Sequence, residues 1–112
     1  MYEETLTIDP EAWTVQVGEQ TVPLTYQEFR LLLFLAEHPG KVFRRADLLR
    51  AAWATESAVS DRSVDLYIHR LREKLGDFGR RAIQTVVRVG YRFDVKEAGS
   101  LRLVQGRSPP GR

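Results

Sequence analysis

The sequence predicts one small α+β domain, with a sheet near the N-terminus, helices in the middle and a β-hairpin near the C-terminus. Three patterns predict this order. Alternating apolar residues over 5–24 indicate short antiparallel strands, apolar residues at helical spacing over 25–75 indicate three helices, and a β-branched run over 83–93 indicates the hairpin. At 112 residues the chain is long enough to bury a core within one domain.

The first strands are short. Val15 and Val17 point to the same face because side chains alternate along a strand. Residues 21–24 follow after a turn at 18–20 and read as a further strand. Pro23 has no N–H to donate, so this strand should be short or lie at a sheet edge.

Two helices are predicted next. Thr25 and Glu28 have the spacing of a capping box, which starts the first helix. We interpret His38, in its last turn, as a cation near the helix C-terminus. The second helix is predicted over 45–53, with a weak start because Arg44 stands where Ser or Asp is preferred.

The third helix, predicted over 61–75 and ending at Gly76, is basic and amphipathic. Its core side is the apolar stripe Val64, Ile68, Leu71 and Leu75. The opposite side carries arginines, a hydroxyl, an imidazole and an exposed leucine, which are residue types that contact base edges and phosphates. A solvated face with pairs at i,i+4 is the alternative for any single arginine. The five residues of this side are Arg62, Ser63, Leu66, His69 and Arg70.

The tip of the hairpin has unusual turn residues. Three valines around the tip are poor turn formers, and Arg88 is not expected to adopt a positive φ. We therefore expect the turn to be built around Gly90, with the side chain of Arg88 pointing away from the hairpin.

Charge is distributed unevenly along the chain. The net charge is −4 over 1–60, +4 over 61–92 and +2 over 93–112, which indicates a polyanionic partner for the second half.

The chain has no cysteine, which excludes disulfides and cysteine-bound zinc, and no cofactor or metal is expected. No apolar run reaches the roughly 20 residues that span a bilayer, so we expect a cytoplasmic protein with no membrane partner.

Two helices joined by a loop, the second of them basic, followed by a hairpin, form a winged helix-turn-helix. The sequence also resembles a known family, the effector domain of OmpR/PhoB-type response regulators, over residues 5–93. The motifs that carry this resemblance are LTYQEFRLL at 24–32, HPGKVF at 38–43, LLRAAW at 48–53, DRSVDLYIHRLREKL at 61–75, IQTV at 83–86 and GYRF at 90–93.

The resemblance implies a transcription factor with an N-terminal antiparallel four-stranded sheet, three helices and a C-terminal wing. Its third helix would enter the major groove of a specific DNA duplex, the wing would face the minor groove, and a second copy could bind in tandem. The DNA-contacting positions implied on that helix are Arg62, Ser63, Leu66, His69, Arg70 and Arg72. The loop before the helix would face RNA polymerase through Thr55, Glu56 and Ser57.

Four residues after the third helix are further candidates for DNA contact. Arg80 and Arg81 are interpreted as two loop residues that together bind a phosphate. The alternative is that they only increase the solubility of the protein surface. Arg88 could enter a minor groove narrowed by A·T pairs, whose negative potential attracts arginine. Tyr91 could touch the backbone, although hairpin packing is the more common role for such a residue.

The sequence departs from the family pattern at three places. The basic residue of the wing is Arg88, one position later than usual, where a turn glycine is expected. Arg44 replaces the usual hydroxyl cap of the second helix. Only residues 1–5 precede the matched region, so we expect either an excised domain of a response regulator or a stand-alone regulator.

The domain is predicted over 5–95, with 96–112 as a largely disordered tail.

Two other functions were weighed against specific DNA binding. The same fold could be a protein-interaction module of a transcription assembly that does not read DNA sequence. A hydrolase built on Asp65 and His69 is disfavoured because no nucleophile motif accompanies them, so no catalysis and no small-molecule substrate are expected. We expect Asp65 to be structural, paired with Arg62, His69 or Arg72.

Overall fold

The computed structural model describes residues 4–53, 60–96 and 98–104. Its strands form a four-stranded sheet in the order β3-β2-β1-β7 and a three-stranded sheet in the order β4-β6-β5. The predicted α+β class is confirmed. The elements are β1 Glu4–Asp9, β2 Thr14–Val17, β3 Gln20–Thr21, α1 Tyr26–Glu37, β4 Phe43–Arg44, α2 Arg45–Ala52, α3 Asp61–Ala82, β5 Ile83–Val86, β6 Gly90–Phe93 and β7 Gly99–Leu103.

The four-stranded sheet differs from the prediction in its fourth strand. β1, β2 and β3 are antiparallel, but β7 pairs in parallel with β1, so the sheet is mixed and its fourth strand comes from the C-terminal segment. The prediction of a disordered tail over 96–112 is therefore wrong for 99–103. The half-buried side chains of Leu101 and Leu103 pack against the core, which explains why this segment is ordered. Residues 105–112 lie outside the described residues.

The first helix begins as predicted. The side chain of Thr25 accepts from the N–H of Glu28 at 3.2 Å, and Glu28 Oε1 accepts from the N–H of Thr25 at 2.9 Å. Lys74 Nζ in α3 also donates to Glu28 Oε1 at 2.7 Å. Burial raises the pKa of Glu28, but the bonds from Lys74 and Thr25 outweigh it and leave the pKa below its usual value. This carboxylate therefore ties the start of α1 to α3.

The second helix has no side-chain cap at Arg44, as predicted. The backbone N–H of Arg44 donates instead to Asp47 Oδ2 at 3.1 Å, which partly replaces the missing hydroxyl. α2 ends at Ala52, and Trp53 serves as its C-cap.

The third helix buries the predicted stripe and breaks at the predicted glycine. The side chains of the stripe are at most 4% exposed. Gly76 has a φ of 68°, a left-handed conformation that interrupts the helix. The chain then resumes a helical course over 77–82, where a loop had been predicted, because the fully buried Phe78 and Ala82 fix this turn against the core.

Candidate nucleic-acid interface

The side of α3 opposite the buried stripe is called the helix face. It consists of Arg62, Ser63, Leu66, His69 and Arg70. Ser63 is half-buried and the other four residues are exposed. Leu66 is 46% exposed, which is high for a leucine at the centre of a helix. Because the stripe is packed against the protein core, this face is presented outward as one continuous surface.

An aromatic pair supports one end of the helix face. The guanidinium of Arg70 lies 5.3 Å from the ring centre of Tyr67, within range of a cation–π contact. Tyr67 in turn packs edge-on against Trp53 at 5.2 Å. The orientation of Arg70 is thus partly fixed by two aromatic residues that the sequence analysis did not connect with it.

Arg72 does not extend outward as a phosphate-binding residue would. Its Nε and Nη2 atoms donate to the carbonyl oxygen of Ile83 at 2.9 and 2.8 Å, and Nη2 also donates to Thr85 Oγ1 at 2.8 Å. Both acceptors belong to β5, the first strand of the hairpin. Arg72 therefore fastens α3 to the wing, a non-local contact that helical periodicity could not indicate.

A second link between helix and wing runs through Asp65. Its Oδ1 atom accepts from Tyr91 Oη at 2.6 Å and from Arg45 Nε at 2.8 Å. The structural role predicted for Asp65 fits this geometry, but the partners predicted for it (Arg62, His69 or Arg72) are wrong. Tyr91 is only 8% exposed, and both burial and Asp65 raise the pKa of its hydroxyl. Tyr91 is thus placed to orient the wing and not to touch a ligand directly.

The wing tip contradicts the turn predicted from sequence. The N–H of Val89 donates to the carbonyl of Val86 at 2.9 Å, which closes a four-residue turn with Arg88 in third position at a φ of 70°. Type II turns require positive φ at this position, so Arg88 adopts the conformation usually supplied by glycine. Val87 and Val89 on either side are 76% and 48% exposed. The tip is therefore an exposed arginine between two exposed valines.

Gly90 is required for a reason other than the one predicted. It lies in β6, outside the positive-φ region, and pairs with Arg44 of β4. A Cβ atom at this position would lie 1.9 Å from the carbonyl oxygen of Phe43. The glycine is needed for close approach of two strands, and the turn is built around Arg88.

Arg80 and Arg81 lie on the helical turn after Gly76. Arg80 Nη2 is paired with Asp77 Oδ1 at 2.9 Å, and its Nη1 is 4.0 Å from Glu73 Oε2. Arg81 is exposed. Part of the positive charge of this pair is already compensated, so Arg81 is the better placed of the two for a phosphate.

Three further points concern the predicted polymerase contact, metal binding and membrane-spanning helices. Thr55, Glu56 and Ser57 lie outside the described residues, so polymerase contact stays a prediction. Across residues 4–53, 60–96 and 98–104, no cluster of three or more His, Cys, Asp or Glu residues could hold a metal ion. No helix of that part of the chain is long and apolar enough to cross a membrane.

A family model described as "Transcriptional regulatory protein, C terminal" matches residues 18–93. The chain belongs to this family. The chain is similar to the phosphate regulon regulator PhoB of Escherichia coli strain K12, which is 41% identical over 92 residues, covering 81% of this chain and 40% of PhoB. The regulator SrrA of Staphylococcus aureus strain NCTC 8325 is 46% identical over 94 residues, covering 81% of this chain and 39% of SrrA. The chain thus spans about 40% of the length of these relatives.

Solved structures of the family share the fold. The RstA DNA-binding domain of Klebsiella pneumoniae, in complex with the RstA box, has a TM-score of 0.71 at 36% identity and covers 84% of this chain and 95% of its own. The AdeR DNA-binding domain, in complex with an intercistronic region, has a TM-score of 0.71 at 30% identity. The match covers 84% of this chain and 96% of the AdeR chain. These neighbours confirm the recognition of an OmpR/PhoB-type effector domain and of its winged-helix fold.

Proposed function

We propose that this domain binds a specific DNA duplex and regulates transcription, with residues 61–75 in the major groove and the wing, residues 83–93, toward the minor groove. The observation that carries the proposal is the outward helix face of α3 beside an exposed arginine at the wing tip. The RstA and AdeR DNA-binding domains, solved in complex with the RstA box and with an intercistronic region, support DNA binding by likeness. A second copy bound in tandem on repeated half-sites fits a fold that reads one short site.

Three residues of the helix face and two residues that support the wing have proposed roles. Arg70 is the best candidate to read a base, since a guanidinium can bind guanine with two hydrogen bonds. Leu66 would contact a thymine methyl, and Arg62 a phosphate. Arg72 and Tyr91 position the wing against the helix, because both are bonded to protein groups.

We further propose that the domain acts by binding, in the cytoplasm, and not by catalysis. Asp65 and His69, the pair considered for a hydrolase, do not support one, because Asp65 is bonded to Arg45 and Tyr91. The protein-interaction module remains the main alternative, and it differs in a measurable way. Such a module would show no preference between DNA sequences.

Replacing Arg70 should blur sequence preference. Arg70→Ala is expected to cost roughly 1–3 kcal/mol of binding on the preferred duplex and little on random DNA, because only base contacts depend on sequence. The preferred duplex can be selected from a random library and both affinities measured by fluorescence titration. Arg81→Ala is the matched control, expected to weaken both duplexes alike. Equal losses on the two duplexes for Arg70→Ala would remove its assigned role.

Replacing Arg88 by glycine should separate fold stability from binding. Because Arg88 has a positive φ, Arg88→Gly is expected to relieve strain and raise the free energy of unfolding by roughly 1 kcal/mol. The same change should weaken binding by about 1 kcal/mol on sites flanked by A·T pairs and by less on sites flanked by G·C pairs.

Urea unfolding and titrations on the two flanks measure these effects. Arg88→Asn is the control, since asparagine tolerates positive φ without adding backbone freedom. Both variants should lose the same affinity. Wild-type affinity on both flanks would show that Arg88 is a solvated residue and that another arginine supplies the flanking contact.

A further inference from the structure

A cleft lined by arginines lies between the start of α2 and the wing tip. It has a volume of about 390 Å³. The antiparallel pairing of β4 with β6 sets Arg44 opposite Gly90, and so brings the start of α2 beside the turn that carries Arg88. Residues more than 40 positions apart in the sequence thereby face one space. The lining residues are Arg44, Arg45, Ala46, Asp61, Arg88 and Val89.

The cleft is positively charged. Its lining holds three arginines and one carboxylate, Asp61, a side-chain balance of +2. Arg45 is paired through Nε with Asp65, which uses one of its five N–H donors. Within the described part of the chain, the ion pairs include neither Arg44 nor Arg88. Both guanidinium groups are exposed, and guanidinium geometry suits a phosphate group.

The cleft also lies between the two elements assigned to DNA. Asp61 begins α3 immediately before Arg62 of the helix face, and Arg88 is the wing tip. When a helix occupies the major groove and a wing reaches the adjacent minor groove, the sugar-phosphate strand that divides the grooves has to pass between them. We propose that Arg44, with Arg45, binds a backbone phosphate of that strand, on the side of the cleft opposite Arg88, which stays assigned to the minor groove. This proposal rests on the DNA binding proposed above. It adds Arg44 and Arg45, which the sequence alone did not indicate as DNA-binding residues.

Arg44 offers a substitution that removes the charge without weakening the fold. Serine is a preferred N-cap residue, so Arg44→Ser supplies the hydroxyl that α2 lacks and should keep or raise the melting temperature. Arg102→Ser on β7, in the four-stranded sheet, is the control for loss of one positive charge. Each phosphate contact adds about 0.9 to the slope of log affinity against log salt.

The expected result is a shallower salt dependence for Arg44→Ser alone. Between 50 and 200 mM salt, wild type and Arg102→Ser should each lose about 3.5-fold more affinity than Arg44→Ser, on the preferred duplex and on random DNA alike. A wild-type slope for Arg44→Ser would overturn the phosphate site while leaving DNA binding intact. An equal change in Arg102→Ser would also overturn it, because the effect would then be one of net charge. Failure of the wild type to bind any duplex would overturn the proposed function itself.

Discussion

Raising the salt concentration from 50 to 200 mM should weaken binding of this domain to duplex DNA about 10²- to 10³-fold. The basic surface is expected to neutralise on the order of 4–6 phosphates, and each contact releases counterions with a slope near 0.9. The surface assigned to DNA is more basic than the chain as a whole. The helix face and the wing tip lie within 61–92, whose net charge is +4, and Arg44 and Arg45 add two positive charges from the first half.

A fluorescence titration at several salt concentrations measures the slope. The far-ultraviolet circular dichroism of the free protein at each concentration is the control, since it shows that the fold itself does not change. A flat response would contradict groove binding and favour the protein-interaction module.

Gly90→Ala is expected to lower the free energy of unfolding by about 3 kcal/mol, because the added methyl forces overpacking and opens strand hydrogen bonds. The new Cβ would lie 1.9 Å from the carbonyl oxygen of Phe43 and 2.9 Å from the Cα of Arg44. Neither is the end of a flexible side chain, so β4 and β6 would have to separate. The separation would also move Arg44 and the wing, so DNA affinity should fall together with stability.

Urea denaturation measures the change, and Gly40→Ala is a suitable control. Gly40 has a φ of 84°, but a Cβ there would meet no atom within 4 Å. Its substitution should therefore carry only the conformational cost of roughly 1 kcal/mol. If the two variants are equally destabilised, the close approach of β4 and β6 is not what requires glycine at position 90.

The features that sequence predicted well depend on neighbours in the chain. The capping box of Thr25 and Glu28 joins residues three apart. The buried stripe of α3 follows from helical periodicity, and Gly76 ends the helix through its own left-handed backbone. Such local patterns place the helix face correctly without knowledge of the rest of the fold.

The features that sequence missed depend on distant partners. Arg72 was expected to contact DNA, but it is bonded to the carbonyl of Ile83, which lies within reach only after the hairpin folds back on α3. Asp65 likewise meets Tyr91, 26 positions away. The turn was expected at Gly90, because glycine adopts positive φ most easily. The register of β5 with β6 instead imposes positive φ on Arg88, whatever the preference of arginine.

The position of β7 bears on self-association. A sheet whose outermost strand is long and unpaired offers a row of free N–H and C=O groups on which other chains can add, and this is a route to aggregation. At one side of the four-stranded sheet the outermost strand, β3, has only two residues. At the other side β1, which has six residues, is covered by β7 along Glu4–Ile8. Residues 99–103 replace β1 as the outermost strand on that side, and β7 carries the exposed charged side chain of Arg102. We expect a version of the domain cut at residue 95, which leaves the six-residue β1 as the edge, to self-associate more readily.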